Sequence, residues 1–509
     1  MQGDEIGGPL LVGAAVLLAA ILAVRVSVRA GLPSLLLYLG MGVLLGESVI
    51  GVEFEDADLA YVLAVVGLVF ILTEGGLTTR WAEVRPVVPL GIALSTVGVA
   101  IGVGVMSLFG RYVLDLDWQL AVLLGAVTAP TDSAAVFSVL RRVPLAPRVR
   151  GALEAETGLN DAPTLLLVTL VSTGEAAEHE WYTVLGIVAG ELVIGTVVGV
   201  VLGGAGARLL ARVALPASGL YPLAALSLCV VAYGAAVTVH GSGFAAVYLA
   251  ALVLGNADLP HRAATRSFAE GVGWLAQIGL FVMLGLLASP GRIDWETIGA
   301  GLFAGAVLTL VARPLSVAAC AGPLRVPWRE QTYLSWAGLR GAVPIVLATI
   351  PLAEGVPGAT GLFDLVIVLT VVYTLVQGPS LPWAADRLGV STPGEPQELD
   401  VEAAPLEGIA ADLLHVRVLT GSKLHGVEVA ELRLPVGTSV SLVVRAGNSF
   451  TPDPRTRLAY GDDVLVVTPR ASRDETEARL RAVAERGRLA GWEQRSRTGP
   501  RLSTRRRLR

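Results

Sequence analysis

Apolar positions dominate the first 390 residues in thirteen blocks, separated by short polar breaks. They can be drawn at 9–28, 32–50, 59–75, 86–109, 117–140, 152–173, 182–207, 219–239, 243–256, 271–289, 297–320, 331–352 and 362–385. Blocks of roughly 20 residues are long enough to carry a helix across a hydrocarbon layer about 30 Å thick. The pattern predicts an all-α polytopic membrane protein of about thirteen transmembrane helices over 1–390. The first apolar run, from about Pro9 to Val24, is followed by Arg25 and Arg29 and not by a small-residue cleavage site, so it reads as a retained helix. Beyond it the pattern changes. Residues 391–407, beginning Ser391-Thr-Pro-Gly-Glu-Pro-Gln-Glu, have nothing to bury and read as a linker. Residues 408–487 alternate in short runs, Leu414–Leu419, Ser439–Arg445 and Asp463–Thr468, ahead of a helical period at 471–486. That is a small cytoplasmic α+β domain. The end, 488–509, is a basic tail that reads as disordered and able to touch anionic lipid.

Composition supports the membrane reading. The chain is 53% hydrophobic and 16% charged, where a soluble domain carries about 25% charged residues. A secreted, nucleic-acid-binding or soluble enzymatic chain is excluded on that ground. The net charge of −5 hides a segregation of the arginines. Arg25, Arg29, Arg80, Arg85, Arg141, Arg142, Arg148 and Arg150 begin one face, which continues through Arg208, Arg212, Arg262, Arg266, Arg313, Arg325 and Arg329. The opposite loops hold Arg111 and Arg292 and are otherwise acidic. The positive-inside rule then puts the N-terminus outside and the C-terminus in the cytoplasm of a cell inner (plasma) membrane protein. Cys229 and Cys320 both fall in apolar runs and read as packing residues.

Charged groups inside the blocks need a reason, since each costs about 2.5–3.5 kcal/mol at a helix centre. Three blocks supply them: Thr128-Ala-Pro-Thr-Asp132, Glu156-Thr-Gly-Leu-Asn-Asp161 and Gly338-Leu-Arg-Gly341. Pro130 in the first, and Gly338, Gly341 and Pro344 around the third, predict two broken helices near mid-membrane. Paired interruptions in two halves of a chain point to inverted repeats crossing at a substrate site. Lys423, in the soluble domain, is the only lysine, so no membrane lysine can become neutral. Arg340 stays charged, and Glu156 is the carboxylate expected to bridge it and tie the two blocks together. Asp132 and Asp161 remain for chemistry. Burial sets H+ and a metal ion in competition for the same carboxylate oxygens. Asp132, Asp161, Thr157 and a carbonyl freed near Thr131 are hard oxygen ligands suited to an alkali cation. An anion too costly to move empty gives exchange.

These three motifs together resemble the signatures of monovalent cation/proton antiporters of the CPA1 type, the prokaryotic NhaP class. The resemblance covers about 390 residues. It implies Asp161 as the main ion and proton carrier, Asp132 as a second ligand with Thr131 beside it, and Asn160 as the orienting residue. Thr157 stands where the family usually has Ser, and Glu156 with Arg340 matches its ion bridge. The Asn-Asp pair implies electroneutral one-for-one exchange. Pro163 stands one residue further from Asp161 than in many members. The family also implies a homodimer and a six-helix core, from blocks 4–6 and 11–13, moving against the other blocks. Leu434-Pro-Val-Gly, Val444-Arg445, Pro452 and Gly461-Asp462 resemble an RCK_C (TrkA-C) domain. That company favours K+ over Na+ and admits a nucleotide regulator. No cofactor is implied.

Two rival readings lack their signatures. A cation channel gated by the RCK_C-like domain lacks a filter of the TVGYG kind. An intramembrane aspartyl protease lacks the Gly-x-Gly-Asp arrangement around Asp132 or Asp161.

Overall fold

The computed structural model describes residues 2–30, 34–46, 51, 54, 56–132, 135–136, 143, 145–391, 402–405, 411–418, 422–445, 447–469 and 472–488. Outside them lie the end of the fifth apolar block, Arg141 and Arg142, most of the 391–407 stretch and the basic tail from 489. The chain forms two compact units, Met1–Ser391 and Thr392–Arg509.

The first unit is helical. Its elements are α1 (Gln2–Ala30), α2 (Ser34–Leu45), α3 (Ala57–Thr78), α4 (Trp81–Tyr112), α5 (Trp118–Thr128), α6 (Pro147–Ser172) and α7 (Trp181–Arg212). Then come α8 (Leu220–Thr238), α9 (Gly243–Asn256), α10 (Arg262–Leu287), α11 (Trp295–Ala321), α12 (Trp328–Trp336), α13 (Ala342–Ala353) and α14 (Ala359–Leu388). Among the described residues, seven helices, α3, α4, α7, α8, α10, α11 and α14, are long and apolar enough to cross a membrane. The sequence reading drew thirteen blocks. The difference lies in α1, whose apolar stretch is Leu11–Arg25, in the short helices α2, α5, α9 and α13, and in α6, whose apolar run is interrupted by its acidic motif.

Two interruptions are visible. After α5 the chain leaves the helix at Ala129–Asp132, and between α12 and α13 it is unwound at Ala337–Gly341. Subtler irregularities occur in α4 and α11, each of which contains one π-helical turn, at Leu94–Gly98 and Leu308–Ala312.

The helices pack in two groups. One comprises α2, α3 and α7–α10; the other comprises α4–α6 and α11–α14, with α6 meeting α7 and α9, and α13 meeting α3 and α10, across the boundary. Glycines let the first group approach backbone to backbone, which a membrane interior rewards because packing is not driven by water. A Cβ at Gly285 of α10 would stand 2.2 Å from the Leu39 carbonyl oxygen of α2, and one at Gly199 of α7 would stand 2.4 Å from the Ala246 carbonyl oxygen of α9. Those contacts exist only because the side chain is a hydrogen atom.

The second unit has a five-stranded antiparallel sheet in the order β1-β2-β5-β3-β4: β1 (Glu402–Pro405), β2 (Ala411–Arg417), β3 (Ser439–Arg445), β4 (Asn448–Phe450) and β5 (Asp463–Pro469). Burial alternates along β2 and β5, so Leu414, Val416, Val464 and Val466 share one face with Leu480 and Val483 of α15 (Arg473–Arg486). The three expected strands are β2, β3 and β5. Strand β1 lies within the stretch read as linker. It is an edge strand held to β2 by backbone pairing, and such pairing leaves little apolar pattern. Under the sheet, Asp462 accepts two bonds from the Arg445 guanidinium, both at 2.7 Å, and one from the Ala459 amide. Burial alone would raise the Asp462 carboxyl, yet these donors hold it below the usual range.

The glycine contacts are testable. Gly285→Ala should destabilise the protein by about 1–3 kcal/mol, the range for overpacking a tight contact. Gly279→Ala, in the same helix with nothing near its Cβ position, should not. The thermal unfolding midpoints of the two variants in detergent provide the comparison.

Candidate functional site

The two unwound segments cross and satisfy each other. The Asp132 amide donates to the Leu339 carbonyl at 3.0 Å, and Arg340 Nε donates to the Thr128 carbonyl at 2.8 Å. Arg340 Nη1 takes the Gly338 carbonyl at 2.8 Å, while Thr374 of α14 donates to the Arg340 carbonyl at 2.5 Å. The Asp132 carboxylate accepts the Ala342 amide, in the first turn of α13, at 2.6 Å. Negative charge is favoured there by the helix dipole. Gly341 must be glycine for this approach, since a Cβ would lie on Asp132 Oδ2.

Helix α6 supplies the rest. Pro163 lies inside it and has no amide, so the Leu159 carbonyl loses its helical partner beside Asn160 and Asp161. Asn160 Nδ2 donates to Thr131 Oγ1 at 2.7 Å, which joins α6 to the first unwound segment. Thr157 is fully buried and donates to the Leu153 carbonyl at 2.9 Å. Asp161 is 5% exposed. Neither of its carboxylate oxygens has a hydrogen-bond partner among the described residues, and Asn160 Oδ1 also has none. Asp132 is close enough to interact electrostatically with Asp161. Buried polar groups are nearly always paired, so an unpartnered carboxylate facing a second one is suited to taking up a proton or a metal ion.

The expected Glu156–Arg340 bridge is not the one formed. Glu156 pairs with Arg313 of α11: Nη2 donates to Oε2 at 2.7 Å and Nη1 donates to Oε1. The physical reason is the demand on Arg340, whose donors serve the carbonyls released where the helices unwind. Arg313, counted with the loop arginines in the sequence reading, is 6% exposed inside α11. It directly follows the π turn, and nearby Ser316 donates to the Gly98 carbonyl at the end of the π turn of α4 at 2.8 Å. Ser95 in that same turn reaches the Glu156 carbonyl at 3.1 Å. The two irregular helices therefore clasp the ion pair between them. Gly338 sits against both guanidiniums, where a Cβ would stand 2.7 Å from Arg313 Nε and 3.1 Å from Arg340 Nη1. One signal for Arg313 was available: it lies two turns inside the 297–320 block. Buried Asp364 was also missed, and it pairs with Arg292 at 3.3 Å.

The structure thus brings Thr131, Asp132, Asn160 and Asp161 together, with Thr157 one turn before Asp161 on α6, Arg340 in the crossing and Glu156 paired with Arg313. The sodium/hydrogen exchanger transmembrane family matches residues 14–387, and the TrkA-C domain matches 413–481. The chain is 34% identical over 475 residues to the K(+)/H(+) antiporter NhaP2 of Shewanella oneidensis, covering 92% of this chain and 82% of that protein. It is 36% identical over 418 residues to the K(+)/H(+) antiporter NhaP of Alkalimonas amylolytica, covering 80% and 71%. A solved structure of the sodium proton antiporter MjNhaP1 from Methanocaldococcus jannaschii at pH 8 superposes with a TM-score of 0.62 at 23% identity, covering 74% of this chain and 97% of that one. That likeness concerns the fold. With a family match over most of its length and relatives above 30% identity aligned over more than two thirds of their own length, the chain belongs to the sodium/hydrogen exchanger family, as a cation/proton antiporter that is not an enzyme and that carries a TrkA-C domain.

Proposed function

We propose that this antiporter exchanges K+, in preference to Na+, for H+ in a one-for-one, electroneutral cycle. The single observation that carries the site assignment is the contrast between the two aspartates: Asp132 is held by the Ala342 amide, and Asp161 has no hydrogen-bond partner among the described residues. Asp161 is then the group that alternates between a proton and a cation. Asp132, Thr157 and Thr131 supply further oxygens, and Asn160 fixes Thr131 in place. Each oxygen is a hard ligand of the type alkali cations prefer. A bare carboxylate is too costly to leave in the membrane interior, so the loaded forms are the ones that cross.

Charge balance supports electroneutrality. The buried centre holds three carboxylates, Asp132, Glu156 and Asp161, and two guanidiniums, Arg313 and Arg340. Three negative charges against two positive leave one, which one proton or one monovalent cation neutralises. The preference for K+ rests on relatives named K(+)/H(+) antiporters, which align over 92% and 80% of this chain.

Our reading of the rest follows the sequence. Thirteen crossings, with inverted repeats, put the N-terminus outside and the C-terminus in the cytoplasm of the plasma membrane. The group α4–α6 with α11–α14 rocks against the other group in a homodimer, giving alternating access. The TrkA-C domain, residues 408–487, regulates transport and is the place where a nucleotide would act.

Everted membrane vesicles test the function. Dissipation of an imposed pH gradient should follow addition of K+ at lower concentration than Na+, and should be unchanged when the membrane voltage is clamped at zero. Asp161→Asn should abolish both responses; exchange at the wild-type rate would refute the assignment. The ion pair gives a separate expectation. Arg313→Met leaves Glu156 buried and unpaired and should destabilise the protein by about 3–5 kcal/mol. Arg313→Met with Glu156→Gln should recover much of that loss in thermal unfolding, since neither partner is then left charged and alone.

A further inference from the structure

Tyr248 of α9 takes no part in the ion site described above, yet its ring lies against the helix that carries it. Tyr248 is 3% exposed. A Cβ at Gly158 of α6 would stand 2.2 Å from Tyr248 Cζ, 2.4 Å from Oη and 2.6 Å from Cε2. The ring therefore occupies the space that any other residue at 158 would fill. Its hydroxyl interacts with Thr79 at the end of α3, and the Glu154 carboxylate is near enough to act on it electrostatically.

The position matters because of helical spacing. Glu154, Gly158 and Asp161 are at i, i+4 and i+7 and share one face of α6. At 1.5 Å per residue, Glu154 is about 10 Å from Asp161 along the axis, toward the end bearing Arg148 and Arg150, with Gly158 between them. Glu154 is itself paired with Arg150 at 3.0 Å. The Tyr248 ring thus covers the face of α6 between a carboxylate on the arginine-rich side and the unpartnered carboxylate of the site. The contact also crosses the boundary between helix groups, since α9 packs on α3, α7 and α8, and α6 packs on α4 and α5. Glu154 and Asp161, the next residues along the face, carry side chains where Gly158 has none. A shift of α6 past α9 by a turn requires the ring to leave its notch.

We propose that Tyr248 is the gate on the arginine-rich side: seated at Gly158 it closes the route from that side to Asp161 and locks the two helix groups in register. The proposal rests on the reading of Asp161 as the exchange site. Gating of this type sets turnover without contributing to the bound ion.

The test has two arms. In vesicles, Gly158→Ala should lower exchange about tenfold or more by expelling the ring, Tyr248→Phe should stay within about twofold of wild type, and Gly158→Ala/Tyr248→Ala should exceed Gly158→Ala by about fivefold. In a Cys229→Ser/Cys320→Ser background carrying Asp161→Cys, a membrane-impermeant maleimide should label the new thiol about tenfold faster once Tyr248→Ala is added, and only from the face bearing Arg80, Arg150 and Arg262. The labelling arm does not depend on Gly158→Ala folding. The gate is refuted if the double variant is no faster than Gly158→Ala, or if Tyr248→Ala leaves labelling unaltered. An error in the Asp161 assignment registers elsewhere, as exchange by Asp161→Asn, with the labelling result standing.

Discussion

A backbone that unwinds inside a membrane releases amides and carbonyls with no water to receive them, and the site is organised around meeting that demand. At the crossing, each interrupted segment serves the other. Arg340 donates to the Thr128 carbonyl, the Asp132 amide donates to the Leu339 carbonyl, and the Asp132 carboxylate takes the first amide of α13. Two of the strongest buried charges are committed to this task. Gly341 and Gly338 follow as necessities, since one has Asp132 where a side chain would begin and the other has two guanidiniums. Asp161 lies one step outside the crossing, joined to it through its neighbour Asn160 and Thr131. It is the carboxylate that the crossing leaves over.

This division explains which parts were legible in the sequence. Pro130 and the Gly338/Gly341 pair announce breaks because each alters the backbone by itself, whatever surrounds it. The polar face of α6 is legible for the same reason, as helical spacing alone places Thr157, Asn160 and Asp161 near one another. Partner choice is different. Glu156 and Arg340 are the natural pair if charge is considered alone, but a guanidinium is also a set of donors, and Arg340 spends them on carbonyls that exist only once both helices have unwound. The role of Arg313 depends on the two π turns, which come from tertiary packing of α4 against α11 and leave no mark in the pattern of apolar residues. In the soluble domain, strands β2 and β5 were readable from their alternating burial, while β1 and β4 are short edges defined by backbone pairing.

The helix boundary crossed by Tyr248 has the same character. Gly158 stands inside the Glu156–Asp161 motif, yet the sequence does not say what fills the space beside it, and many other glycines of the membrane helices have open space at their Cβ positions. Its meaning comes from a ring on a helix some ninety positions away in the chain. Small residues that allow close packing and small residues that receive a moving side chain look alike until the neighbour is known.

The mistaken partner has a consequence for stoichiometry. With Arg340 as the one buried cation, Glu156 is neutralised and two aspartates remain, a centre with two charges to fill in each cycle. Arg313 changes the sum. Its guanidinium takes Glu156, so three buried carboxylates stand against two guanidiniums, and Asp161 is the carboxylate with no hydrogen-bond partner among the described residues. A site of net charge −1 is satisfied by one proton or one alkali ion, and either loaded form crosses the membrane with the same charge. In a low-dielectric interior that equality matters more than the identity of the ligands, because an added unit charge costs several kcal/mol and would make one half of the cycle much slower than the other. The one-for-one cycle proposed above is therefore tied to the arginine behind the π turn of α11, which sets how many charges the aspartates have left to carry.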